Sequence, residues 1–323
     1  MFDKNKLQNK LNHYFEKLEP KKRPLSLQIK DFKNDFTYTY HQQDKASLFH
    51  AFGVGKLFTL VLILKMVEQG KLDLDTPIET YLGSEQLQSL FVFRNVNYQS
   101  VVTSRHLLNH TSGVADYFEG ACLEGHRFID QMISNLDHVF TPNDLIEYTK
   151  SYQHALGTPG TRFYYSDTGY VLLGLILETL TRKPYHELIH TYITKPLNLK
   201  NTFMYYHDKT KKEIAPIKFY QHTLNQPNSL TCHWAGGGIV STTEDLIIFL
   251  KSMVDQKLIP ISITDETMCC EFPFLKGLKY GLGLMEAKLE KFPFLFKTQK
   301  LPALRGHMSF LGTHLWVAIE HEV

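Results

Sequence analysis

The sequence predicts an α/β fold of the α+β kind, an antiparallel sheet flanked by helices and joined to a mostly helical domain. Two observations predict it. Strand-like alternation marks both ends of the 323-residue chain, with helical patches and Gly/Pro turns between them. Near residue 57 lies a helix that is apolar nearly all round, and such a helix belongs in a core. Strands at both ends with helices between them suggest one discontinuous α/β domain with a helical insertion. The sheet domain is therefore expected to be discontinuous, residues 1–83 and 231–323, with 84–230 as the mostly helical domain.

The elements follow in order. MFDKNKLQNKLNHYFEKL places Leu7, Leu11, Tyr14, Phe15 and Leu18 on one side of an amphipathic helix. LSLQIKD and FTYTYHQ alternate as strands, divided by the turn-like Lys33-Asn34-Asp35. Gly53-Val54-Gly55 then opens the apolar helix. The middle is helical, broken by turns such as GTPGTRF. KYGLGLM, LPALRGHM and THLWVAIEH close the chain as strands.

Composition narrows the class. The hydrophobic fraction is 43% and the charged fraction 21%, as in globular proteins, and a chain of this length buries a sizeable core. Net charge is +2 with both signs mixed along the chain. The most basic run, Lys21-Lys22-Arg23, lies between prolines as a solvated linker, so no nucleic-acid partner is expected. The longest apolar run, Leu57 to Val67, is interrupted by Lys65 and is too short to span a bilayer. The N-terminus has no apolar core of signal-peptide type. Cys122, Cys232, Cys269 and Cys270 show no metal spacing, and reduced thiols in a cytoplasmic protein are the expectation. No cofactor or metal is implied.

Three short segments carry chemistry. In Gly53-Val54-Gly55-Lys56, residues three apart on a first helical turn share a face. A serine at the first position would place its hydroxyl at the positive helix end beside an amine able to take its proton. Here that position is glycine, and Lys56 becomes a cation under a core helix in need of a partner. Tyr165-Ser166-Asp167, on the loop before a helix, can aim a phenol and a carboxylate into one cleft. In Gly306-His307-Met308-Ser309, the glycine would let a ligand approach the strand and His307 would supply a donor.

A different chemistry is suggested by His186-Glu187-Leu188-Ile189-His190, which satisfies the H-E-x-x-H pattern of zinc peptidases. With 16 histidines in the chain and average glutamate frequency, such a match arises by chance at roughly one in twenty-five. The apolar stripe Tyr185, Leu188, Ile189, Tyr192 and Ile193 also turns these histidines toward the flank or solvent. His106 and His110, four apart, lack a third ligand, and His110 is expected to stabilise its turn.

The three segments, in this order, resemble the serine β-lactamase and penicillin-binding-protein superfamily, most closely its class C β-lactamase, D,D-peptidase and esterase branch. The resemblance runs from LFHAFGVGKLFT and GKLDLDTPIETYL through LLNHTSGVADYF, GTPGTRFYYSDTGYVLLGLILE and KPLNLKNTF to AGGGIVSTTEDLIIFL, YGLGLM and LRGHMSFLG, roughly residues 45–315. It implies acyl transfer from an ester, a β-lactam or a D-Ala-type peptide to a serine, then hydrolysis. In that scheme Lys56 and Tyr165 move protons, while Asp167, His307 and Ser309 face the substrate.

The departures matter equally. Gly53 holds the nucleophile position, Asp167 stands where the branch usually has asparagine, and Met308-Ser309 replace the end of an H-x-G motif. The expectation is a protein inactive or strongly impaired in acylation; the alternative is a pseudoenzyme that binds an acyl or peptide ligand or a partner. The chain ends at Val323, sixteen residues past His307. Relatives continue with another strand inside the sheet, so the resemblance implies a gap beside the hairpin strands that a partner chain would fill, or a shortened chain.

Overall fold

The structure, a computed structural model, describes residues 2–17, 25–41, 48–123, 125–207, 212–261, 265, 268, 271–288 and 302–318. Helix α1 (Lys4–Glu16) starts at Asp3, whose carboxylate accepts the Lys6 N–H at 2.9 Å. Strands β1 (Ser26–Asp31) and β2 (Phe36–His41) form an antiparallel hairpin. Asp31 ties the turn by accepting from the Asn34 backbone at 3.0 Å and its side-chain amide at 2.7 Å. Phe15, Phe36 and Tyr38 make a small cluster of their own there.

β3 (Phe49–His50) leads through a 3-10 turn, Phe52–Gly55, into α2 (Lys56–Glu68). Leu57 through Leu64 are all buried, so the helix that is apolar all round does lie in the core. Helices α3 (Pro142–Tyr152) and α4 (Asp167–Thr181) follow. Thr141 and Asp144 cap α3 reciprocally, and Ser166 caps α4 by accepting the Gly169 N–H at 3.3 Å. α5 (Tyr185–Ile189) passes directly into a π turn, His190–Thr194.

Strands β4 (Phe203–Met204) and β5 (Ile239–Ser241) join β3 in a three-stranded sheet of order β3-β5-β4. α6 (Thr243–Val254) then stacks Phe249 on Phe58 of α2 at 3.9 Å between centroids. The largest sheet is an antiparallel meander of β6 (Phe272–Leu275), β7 (Leu278–Tyr280), β8 (Met285–Ala287), β9 (Leu304–Met308) and β10 (His314–Ala318). The architecture is therefore the mixed one expected, antiparallel sheets flanked by helices. One core runs from Leu48 to Val317 and draws side chains from both sequence ranges assigned to separate domains.

α6 packs against both β1 and β10. Among the described residues, however, the β1–β2 hairpin pairs with no strand of the five-stranded sheet. No helix among the described residues is long and apolar enough to cross a membrane. Cys122 and Cys232 are free thiols, while Cys269 and Cys270 lie outside the described residues.

Candidate active site

The site is assembled where the start of α2, the start of α4 and the end of β9 converge. Backbone approaches backbone here. A side chain at Gly237 would meet the Phe52 carbonyl carbon at 2.8 Å, so the short helix Trp234–Gly237 lies flat on the 3-10 turn. That contact brings the Gly236 carbonyl over α2, where it accepts from Lys56 Nζ at 2.9 Å.

Lys56 is 1% exposed, and its ammonium forms an ion pair with the Asp167 carboxylate. The same nitrogen lies 5.0 Å from the ring centroids of Tyr165 and Tyr170. The core lysine thus has the partner its burial demands, supplied by the segment read as Tyr165-Ser166-Asp167. No serine, threonine or cysteine side chain among the described residues is hydrogen-bonded to Lys56 or Tyr165.

Asp167 is itself held from behind. Its backbone N–H donates to Asp116 Oδ1 at 2.9 Å, and Asp116 also accepts from the N–H groups of Phe118 and Glu119. Burial, with the Asp167 charge second, pushes the Asp116 carboxyl up to about 7. Burial and then the same Asp167 charge drive the Tyr165 phenol well above its ordinary range, so it is a neutral O–H at any working pH. The Tyr165 ring stacks on Phe274 at 5.6 Å and tilts against His110 at 4.3 Å.

His110 is buried, in a left-handed conformation with φ of 58°. Its Nδ1 accepts the Ser166 N–H at 3.1 Å, which fixes the loop carrying Tyr165 and Asp167. His106 accepts the Thr103 N–H in a capping box, so the two histidines serve separate turns.

His307 differs from its expected role as a donor to a ligand. It is fully buried, and burial together with the Lys56 charge lowers it to about 3, so it is neutral. Its Nδ1 lies 2.8 Å from the Met308 carbonyl, which can only accept, and therefore carries the proton. Nε2 then accepts from the Tyr280 hydroxyl at 3.0 Å. Both nitrogens are occupied inside the protein. Ser309 is likewise turned inward, its hydroxyl accepting the Leu311 N–H and its own N–H donating to Thr313 within the β9–β10 turn.

Gly53 is half-buried, on the 3-10 turn facing the end of β9. A β-carbon there would lie 2.9 Å from the Met308 carbonyl oxygen, 3.4 Å from His307 Cε1 and 3.5 Å from His307 Nδ1. Real β-carbons do not approach a backbone oxygen so closely. A side chain at this position would require the strand end to shift.

The H-E-x-x-H residues lie elsewhere. His186, Glu187, His190 and His207 line a groove of 430 Å³ that includes none of the residues above. His186 stacks face to face on His207 at 4.0 Å, and His190 Nδ1 lies 3.2 Å from Thr194 Oγ1 across the π turn. Among the described residues no three His, Cys, Asp or Glu side chains are placed to hold a metal, so the zinc reading is withdrawn. Asp116, Tyr170, Tyr280 and the Gly236 carbonyl are the site groups that sequence reasoning did not single out. All four lie in segments that carry the resemblance, LLNHTSGVADYF, GTPGTRFYYSDTGYVLLGLILE, YGLGLM and AGGGIVSTTEDLIIFL, but nothing in those segments sets them apart from their neighbours.

An antiparallel sheet laid against a buried, lysine-bearing helix, with a tyrosine and a carboxylate facing that lysine, defines the class of serine-hydrolase scaffolds to which β-lactamases and penicillin-binding proteins belong. The beta-lactamase family model matches residues 37–323, and the chain belongs to that family. The putative penicillin-binding protein PbpX of Bacillus subtilis (strain 168) is 26% identical over 225 residues, 68% of this chain and 49% of that protein. The D-stereospecific amidohydrolase from Streptomyces sp. superposes with a TM-score of 0.73 at 24% identity, over 95% of this chain and 87% of that one. The octameric penicillin-binding protein homologue from Pyrococcus abyssi does so with a TM-score of 0.70 at 25% identity, over 99% and 72%. The chain spans less than two-thirds of the length of the curated relatives it matches.

Proposed function

We propose that this chain binds an acyl compound (an ester, a β-lactam or a D-Ala-type peptide) in the family cleft without forming an acyl-enzyme. In this reading Gly53 occupies the position of the acylated serine. The observation that carries it is the approach of the Met308 carbonyl to within 2.9 Å of where a β-carbon on Gly53 would be. The position lacks a nucleophile, and a side chain there would require the strand to shift. Loss of such a serine costs on the order of 10⁴ to 10⁶ in turnover.

Two further features support binding without turnover. Lys56 donates to the Asp167 carboxylate and the Gly236 carbonyl, so its amine is already engaged within the protein. The Gly53 N–H lies in a first helical turn, where N–H groups have no intrahelical acceptor, so a donor for a ligand carbonyl is retained.

The test mixes the parent chain and its Gly53→Ser variant with a p-nitrophenyl ester and, separately, a fluorescent penicillin, following turnover and intact mass. Neither chain is expected to gain an acyl mass or release nitrophenol above background. An acylated Gly53→Ser variant would show instead that the cleft is a working acyl-transfer site with a single lesion.

A further inference from the structure

The cleft's polarity decides which acyl compounds it can hold. Gripping a carboxylate strongly takes a free cation, and the lysine of the site is already paired. His307 has both nitrogens engaged, so the donors left are the neutral Gly53 N–H and Ser309 O–H, which suit a carbonyl as well as a carboxylate. A charged acceptor stays open beside them. Lys56 occupies one oxygen of the Asp167 carboxylate, the other has no hydrogen-bond partner among the described residues, and the side chain keeps 14% exposure.

A carboxylate at this point cannot donate to a ligand carbonyl as an amide would; it can only receive N–H or O–H groups.

We infer that Asp167 is a specificity-determining residue that receives an ammonium group, so that the cleft selects acyl compounds bearing a free amine over those recognised through a carboxylate. This inference rests on the acyl-binding reading above and narrows it, away from D-Ala-terminated peptides and toward amino-acid amides and esters. The second oxygen of Asp167 takes the ammonium, while the first keeps Lys56. Phe310 directs the choice of side group. It is 52% exposed two residues beyond Met308, its ring 6.1 Å from both Phe118 and Phe219, so an aromatic group is the one to try.

Titration calorimetry on the parent chain tests this with three probes: phenylalaninamide, N-acetylphenylalaninamide and 3-phenylpropionamide, which lacks the amine. Phenylalaninamide is expected to bind at least tenfold more tightly than either of the others. Asp167→Asn keeps an oxygen for Lys56 but replaces the open acceptor by a donor, and it should abolish or reverse that preference. Equal binding of the three probes to the parent, or an undiminished preference in a folded Asp167→Asn variant, overturns the role of Asp167 and leaves acyl binding standing. No binding of any probe at millimolar concentration overturns both. If Asp167→Asn melts below the assay temperature, the three-probe comparison on the parent decides alone.

Discussion

Lys56 and Asp167, 111 residues apart in sequence, form an ion pair whose lysine is 1% exposed and whose aspartate side chain is 14% exposed. The pair ties the first turn of α2 to the first turn of α4, the two helices whose meeting defines the cleft. A buried pair of this kind adds little net stability over apolar neighbours, because desolvation offsets the attraction. Breaking it on one side is another matter.

Asp167→Ala should therefore destabilise the protein by about 3–5 kcal/mol, since it strands a buried ammonium. Lys56→Met combined with Asp167→Leu should recover most of that loss. Urea unfolding of the parent, the single and the double variant measures both. A single variant as stable as the parent would mean that the ammonium is solvated and the pair open.

His307 and Tyr280 give a second, spectroscopic prediction. The structure assigns His307 the neutral tautomer with its proton on Nδ1. Nitrogen-15 NMR of the imidazole should find a protonated Nδ1 and an unprotonated Nε2, unchanged from pH 5 to 8. Tyr280→Phe removes the only described donor to Nε2 and should cost about 1–3 kcal/mol for the stranded acceptor. A proton found on Nε2 would free His307 to donate toward Tyr280 and undo the assignment.

The sequence was most legible where chemistry and periodicity coincide. A lysine in an otherwise apolar helix announces a buried charge, and Tyr165-Ser166-Asp167 before a helical pattern announces the loop that answers it. It was least legible where backbone atoms do the work. No residue letter encodes the Gly236 carbonyl over Lys56 or the Met308 carbonyl against Gly53. His307 was placed on the right strand but expected to face a ligand. Alternation along β9 puts it on the buried face with Arg305, and only the pairing with β10 fixes which face that is. The H-E-x-x-H match failed for a comparable reason: it supplies two histidines one helical turn apart, and the third ligand must come from elsewhere in the fold, where none is placed among the described residues.

Several buried histidines set the pH dependence. Burial, with a nearby His233 or Lys56 charge second, lowers His50, His233 and His307 to about 3, against an unfolded value near 6.5. Their contribution is complete above pH 6.5 and is lost as pH falls toward 3, because the unfolded chain binds protons the native protein refuses. Asp116 acts oppositely. Its carboxyl is raised to about 7, so its contribution is complete below about 4 and is lost as pH rises through 7. With three such histidines against one such carboxyl, stability should fall from pH 6.5 to 4. His50→Phe should flatten that fall by about 1.4 kcal/mol per pH unit, one proton's worth. The His50 ring already stacks on Phe52 at 5.3 Å and meets Tyr205 at 4.7 Å, so a phenyl ring suits the place. Urea midpoints at several pH values decide; an unaltered slope would mean that His50 titrates normally.

The sharpest prediction concerns a single methyl group. Gly53 is not among the glycines with positive φ, so its backbone conformation is open to any residue. In such a position Gly→Ala ordinarily stabilises by about 0.4–1 kcal/mol, because it restricts the unfolded chain. Here the new carbon would meet the Met308 carbonyl at 2.9 Å, and that carbonyl is not free to swing away. It accepts from His307 Nδ1, and Met308 is in register with His314 across the β9–β10 pair. Moving it means moving the strand, an overpacking cost of about 1–3 kcal/mol. Gly53→Ala should thus be less stable than the parent, and Gly53→Ser at least as unstable, in urea or thermal unfolding. The sign is the whole test. A stabilised alanine variant would mean that β9 yields readily, that a serine hydroxyl fits beside Lys56, and that the cleft still has the shape of a working acyl-transfer site.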